Sequence, residues 1–202
     1  MPNRMTADRR NDILDAALLL LRTGGLPAVT TAALARDARC SKDTLYLLFR
    51  DRDAILAALV ERQAGQLNAT MQAVDPSASA RDGLIAAGTR LLELLTSDAS
   101  LAINRAALAD QSGALSRILI ETGKNRSAPR LIALIEQMRA QGDIAAADVG
   151  EAYATFYGLL VGDRQILALH RVQGTDRDDC EAVARRAVQR FVLIYSGERS
   201  RP

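Results

Sequence analysis

The chain has 202 residues, of which 49% are hydrophobic and 25% charged, with a formal net charge of +2. Alanine (36) and leucine (29) dominate, whereas glycine (13) and proline (5) are scarce, a balance that favours helices because Ala, Leu, Arg and Glu lose little entropy there. It excludes collagen, disorder, a disulfide scaffold and a sandwich of short strands, and the length allows a real core in one or two domains.

The first ten or so residues, with Arg4, Arg9 and Arg10, read as a polar arm. A helix is expected from about Ala7 to Arg22, with Ile13, Ala16, Ala17, Leu20 and Leu21 spaced three and four apart along one face. Gly24-Gly25 stop it and Pro27 keeps the connection non-helical. Thr30 is the N-cap of a short helix over about 31–38, with Leu34 and Ala35 inward. Arg39-Cys40 leave room only for a tight turn before Ser41, which caps a third helix over about 42–49. Asp51 then caps a long helix over about 52–74 that Pro76 ends. Beyond it the chain reads as helices at about 79–96, 98–111, 113–122, 126–141, 147–171 and 177–196, with breaks at 97–98, 112–113, 123–125, 142–143 and 174–175. No segment alternates with period two long enough for a strand, so the fold class is all-α.

Charge is unevenly placed. Residues 1–52 hold nine Arg/Lys against six Asp/Glu, while residues 53–202 hold seventeen against eighteen. A basic end on a neutral body hints at a polyanion partner there. Cys40 and Cys180 have no metal or redox spacing, and two buried thiols in a reducing cytoplasm is the expectation. No signal peptide is evident, and the uncharged apolar stretch 152–162 is about half the ~20 residues a membrane span needs.

Three helices within residues 9–50, the last two joined by a very short turn, have the form of a helix-turn-helix DNA-binding module. The stretch TTAALARDARCSKDTLYLLFRDRDAIL, preceded by ILDAALLLLRTGG, resembles the N-terminal domain of TetR/AcrR-type transcriptional regulators over about residues 9–60. The resemblance implies a DNA-binding domain over 1–52 and a helical ligand-binding and dimerisation domain over 53–202.

The expected DNA-binding residues are Thr30, Ser41, Lys42, Asp43, Thr44, Tyr46, Leu47, Arg50 and Arg52. Ser41 satisfies amides of the third helix that also present partial positive charge to a phosphate. Lys42 and Asp43 in its first turn are placed for base edges. Thr44 and Tyr46 offer hydroxyls to phosphates, Leu45 and Phe49 pack inward, and Arg50 and Arg52 flank the fourth helix, where the resemblance implies a phosphate contact. The sequence departs from the family pattern at three points. Arg39 stands where the turn usually has glycine, so either it adopts a left-handed conformation or the turn differs. Leu47 and Leu48 replace aromatic, His or polar residues, and Ala32 and Ala33 supply no base-reading group. Modest affinity per monomer is expected, with dimerisation and the arginine arm contributing more.

In the body, Ala154, Gly158 and Gly162 repeat every fourth position on the expected 147–171 helix, and Val183, Ala187, Phe191 and Ile194 line one side of the last helix. These seven are the expected dimer interface, since by resemblance the last two long helices of two protomers form a four-helix bundle. Intramolecular packing is the alternative for Gly158 and Gly162. A ligand pocket among the middle helices is expected to draw on Leu95, Asn104, Arg105, Leu108, Met138, Phe156 and Arg164.

Catalytic chemistry finds no support. The single histidine, His170, suits a helix-terminal cation, and one His with two scattered Cys supports neither zinc nor a Cys–His nucleophile. Asp176, Asp178, Asp179 and Glu181 lack the glycine and distal glutamate of a calcium loop, and Gly123-Lys124 lacks the context of a P-loop. No metal or cofactor is expected. The seven aromatics fall at 46 and 49 and at 153, 156, 157, 191 and 195, leaving an aliphatic middle that suits an apolar inducer better than a flat aromatic cation. The resulting expectation is a cytoplasmic, homodimeric, non-enzymatic regulator, a repressor released by a small apolar ligand from a near-palindromic double-stranded operator. The competing class is a helical ligand carrier or sensor whose DNA-binding unit has decayed.

Overall fold

The computed structural model describes residues 2–72, 79–171 and 179–196, and these are helical apart from turns and caps. The Arg4 side chain, the Asp75-Pro76-Ser77 and Gly174-Thr175 breaks, and Asp176 and Asp178 lie outside the described residues. The helices are α1 (Pro2–Ala28), α2 (Thr31–Asp37), α3 (Lys42–Leu48), α4 (Arg52–Gln72), α5 (Ala80–Leu95), α6 (Asp98–Ala109), α7 (Ala114–Ile118), α8 (Asn125–Gln141), α9 (Val149–Val161), α10 (Arg164–Leu169) and α11 (Cys180–Tyr195).

Three expectations need correction. The N-terminal arm is helical from Pro2, because nothing between it and Gly24 breaks the pattern; α1 kinks only at Gly25, whose φ of 68° an L residue rarely adopts. The break expected at 123–125 is bridged by a π-helical stretch, Leu119–Lys124, so the backbone stays helical from α7 into α8. Conversely, the single helix expected over 147–171 is two. Gly162, at φ 51° and ψ −128°, ends α9, and α10 starts two residues later.

The chain divides into two compact units, Met1–Gly65 with Asp98–Lys124, and Gln66–Ser97 with Asn125–Pro202. This packing division differs from a linear cut after residue 52. In the first unit the predicted stripe of α1 is buried throughout, and it meets Val29, Leu34, Leu45, Phe49, Ile55 and Leu59. Ala102, Ile103, Ala106 and Leu115 complete the cluster from α6 and α7. Arg22 of α1 pairs with Asp98 at the start of α6 at 3.0 Å, and Arg62 of α4 pairs with Asp15 of α1 at 2.8 Å.

The second unit packs α5, α8, α9 and α11 around Leu84, Leu92, Leu131, Ile135, Met138, Phe156 and Phe191, all fully buried. Glycine permits the closest approaches: a Cβ on Gly83 would sit 2.9 Å from Leu134, and one on Gly88 3.3 Å from Phe156. α8 closes with Gly142 at φ 76°, while the amides of Gly142 and Asp143 bond back to Arg139 O and Met138 O. The Ala145 amide donates to Tyr195 O at 2.9 Å, tying that connection to the end of α11.

Candidate nucleic-acid interface

α2 and α3 have seven residues each, too few to persist without capping and tertiary support. At α2 the Thr30 hydroxyl accepts the Ala33 amide at 3.2 Å. The far end closes on Arg39 at φ 51°. The Cys40 amide bonds to Ala35 O (2.9 Å) and the Arg39 amide to Arg36 O (3.2 Å), the paired bonds of a Schellman motif. The turn thus has the left-handed geometry that glycine adopts without strain, and Arg39 holds it at a cost of about 1 kcal/mol. Cys40 follows in the position where such a motif places an apolar contact, and it packs on the first unit's core. Burial pushes its thiol pKa up, away from nucleophilic use.

Ser41 caps α3, its hydroxyl accepting the Thr44 amide at 3.0 Å and lying 2.9 Å from the Thr44 hydroxyl. Leu45 and Phe49 are buried, while Lys42, Asp43, Tyr46 and Leu47 are exposed. At 100° per residue these four fall within an arc of about 140°, and Asp43 and Leu47 each lie about 160° from Leu45. Tyr46 is 58% and Leu47 84% exposed, so both are free for a partner. Thr44 is half-buried, at the edge of this face.

Two of the three arginines expected in a polar arm, Arg9 and Arg10, bond to other helices of the unit. Arg10 donates to Leu48 O at 2.8 Å, with its guanidinium 4.2 Å above the Phe49 ring. Arg9 donates to Ala38 O at 3.3 Å. Each places a cation at a helix C-terminus, where unsatisfied carbonyls attract it. They position α2 and α3 from behind, a role that spacing could not reveal because 29 and 38 residues separate the partners.

Past α3, Asp51 accepts the Ala54 amide at 2.8 Å and pairs with Arg50 at 3.0 Å. The amide bond first, then Arg50, hold its carboxyl below the usual range. Arg52 pairs with Asp53 at 3.3 Å. Such exposed pairs contribute little, so a phosphate can displace either carboxylate. Thr30, Ser41, Arg50 and Arg52 are exposed like the outer face of α3.

Residues expected at a ligand site divide between the units. Leu95, Met138, Phe156 and Arg164 belong to the second, with Met138 and Phe156 fully buried in its core. Asn104, Arg105 and Leu108 belong to the first, where the Asn104 amide donates to Ser100 O at 2.8 Å. Leu108 is 75% exposed, on the solvent side of α6. The first unit does hold a shallow recess with room for little more than a water, lined by Leu26, Leu56, Leu115 and Ile118 with Arg52, Asp53 and Asp110 at its walls, none of them an expected ligand residue.

The dimer set is also sorted by burial. Val183, Ala187 and Phe191 are buried in the second unit's core, because α11 turns that side toward α5 and α9. Ala154, Gly158, Gly162 and Ile194 are exposed, and nothing lies within 4 Å of a Cβ built on Gly158. Leu193, 72% exposed, and Ile166 add to the exposed apolar surface of this unit, and the apolar run 192–195 signals more such surface than one core face absorbs. The rings of this unit gather in its core, where Phe156 and Phe191 meet edge-on at 5.7 Å, with Tyr195 5.1 Å from Phe191. Burial raises the pKa of the half-buried pair Tyr153 and Tyr157. His170 caps the end of α10.

Residues 13–59 match the model of bacterial regulatory proteins of the tetR family, and residues 82–197 match the C-terminal domain of AefR-like transcriptional repressors. Among solved structures, a TetR transcriptional regulator from Agrobacterium tumefaciens is 38% identical, with 93% of this chain and 94% of that chain covered and a TM-score of 0.76. A candidate TetR-family regulator from Mesorhizobium loti MAFF303099 is 22% identical over 94% and 98%, with a TM-score of 0.80. The transcriptional regulator FadR of Bacillus subtilis, solved in complex with stearoyl-CoA, is 19% identical over 90% and 96%, with a TM-score of 0.74. No curated protein sequence matches the chain.

Proposed function

Because the chain belongs to the TetR family of bacterial transcriptional regulators, we propose that it is a cytoplasmic homodimeric repressor whose α3 reads a near-palindromic operator and which a small apolar ligand releases. The observation that carries the reading is the outer face of α3. Lys42, Asp43, Tyr46 and Leu47 stand exposed on a helix fixed by the Ser41 cap, the buried Leu45 and Phe49, and the Arg10 clamp. A short, rigid helix with base-reading groups on its free side is what the major groove admits. In this division residues 1–52 bind DNA and residues 53–202 bind ligand and dimerise.

Dimerisation draws support from the exposed Ile194, Leu193, Ala154 and Gly158, an apolar surface that a single chain leaves to water. Twofold pairing places two α3 helices on successive grooves, hence the near-palindrome. For the ligand we retain Leu95, Met138, Phe156 and Arg164 of the second unit as contacts. The likeness to a fold solved with stearoyl-CoA supports an apolar effector. Ligand binding favours a pivot of α4 that spoils the spacing of the two recognition helices. No helix among the described residues is long and apolar enough to cross a membrane.

The test is a salt titration of binding to duplex DNA from upstream of the protein's own gene. Phosphate contacts release counterions, so log affinity falls linearly with log salt. Lys42→Ala relaxes sequence preference, whereas Tyr46→Phe weakens binding evenly. A flat salt response, or no binding at low salt, contradicts the reading and favours the carrier, for which exposed Leu47 in place of a polar group is the motive.

A further inference from the structure

Leu47 has the highest exposure of the chain's large apolar residues among those described, 84%, and it stands on a face otherwise made of Lys42, Asp43 and Tyr46. Water is a poor environment for a leucine, and on α3 nothing in its own unit covers it. The feature in the major groove that rewards an apolar side chain is the thymine 5-methyl group. We infer that Leu47 is a specificity-determining residue that selects a thymine by contact with its methyl.

The register follows from helix geometry. Asp43 and Leu47 are four apart and project together, so they are separated by about 6 Å along α3. A helix inclined in the major groove meets successive bases with residues three to four apart, so the two side chains reach neighbouring base pairs. The Asp43 carboxylate accepts from an exocyclic amine, the donor that cytosine and adenine present in that groove. Each half-site therefore carries a thymine in the pair next to one with an amine-bearing base. Lys42 on the same face offsets the repulsion between Asp43 and the flanking phosphates. The assignment rests on DNA binding by α3.

The experiment starts with the full-length protein selecting duplexes from a randomised pool. Each thymine of the selected half-site is then replaced by deoxyuridine, which removes the methyl and preserves pairing. For the wild type, one replacement weakens binding about fourfold per half-site, the weight of one buried methyl. In Leu47→Ala the same replacement has no effect, while the remaining thymines behave alike in both proteins. Leu47→Met, which keeps an apolar tip, restores part of the discrimination. Deoxyuridine penalties that are identical in wild type and Leu47→Ala overturn the role of Leu47 and leave DNA binding intact. A wild type that selects no duplex removes the DNA-binding reading, and this inference with it. Since Leu47 is on the surface, unchanged melting of the variants shows that any loss concerns the groove.

Discussion

In the first unit α2 and α3 have seven residues each, whereas α5, α8, α9 and α11 of the second run from 13 to 17. Short helices cannot stabilise themselves, so α2 and α3 add end groups to the core beneath them: Thr30 and Ser41 as N-caps, the Arg39 turn, and Arg9 and Arg10 on terminal carbonyls. The second unit relies on bulk burial, with Phe156 and Phe191 in edge contact among leucines. The difference teaches where each unit keeps its functional groups. Local caps hold α3 while leaving one side free, whereas α9 and α11 each bury one face in a thick core and leave the other exposed.

The contrast breaks most severely at Phe191. Replacing it with alanine empties the centre of the second unit and costs about 3–5 kcal/mol, a loss that calorimetry reads as a lower melting temperature. If the loss is under 1 kcal/mol, the second unit does not depend on that ring cluster. Ser41→Ala removes one cap and costs about 1 kcal/mol; DNA affinity falls with it, because α3 frays while the second unit is unchanged. Arg39→Gly works in the other direction. Relief of the left-handed backbone gains about 0.5–1 kcal/mol, less than the full strain because glycine also frees the unfolded chain.

A smaller effect separates the units by pH. Asp51 and Asp110 both have lowered pKa values, from backbone amides first (Ala54 and Leu115) and then from Arg50 and Ser112. A depressed folded value means that their stabilisation is present above the unfolded pKa of about 4 and fades as pH falls through the folded value. Both residues lie in the first unit. Acid therefore weakens that unit, and Asp51→Asn with Asp110→Asn flattens its melting profile below about pH 4.

What the sequence shows most plainly is the local chemistry. Thr30 and Ser41 are recognisable as caps because their bonds close within three residues, and the inward Leu45 and Phe49 follow from helical spacing. The family itself is legible in the same stretch. Less is legible where partners are distant. Arg9 and Arg10 look like a free basic arm until the fold brings Ala38 and Leu48 to them. Val183, Ala187 and Phe191 have the pattern of an interface, yet the same pattern serves a monomer core, and only packing against α5 decides. Gly162 reads as a packing glycine because spacing alone cannot distinguish that role from a helix stop.

Tyr46 and Leu45 are neighbours in sequence and opposites in environment, one 58% exposed and the other buried. Alanine at each, with duplex affinity and melting temperature measured on the same samples, tests most directly whether the free face of α3 contacts DNA. The account predicts that Tyr46→Ala weakens DNA binding about tenfold with melting unchanged, one lost contact of roughly 1.4 kcal/mol, while Leu45→Ala lowers melting by the equivalent of about 2–5 kcal/mol. Unchanged affinity in Tyr46→Ala, with the fold intact, would contradict it.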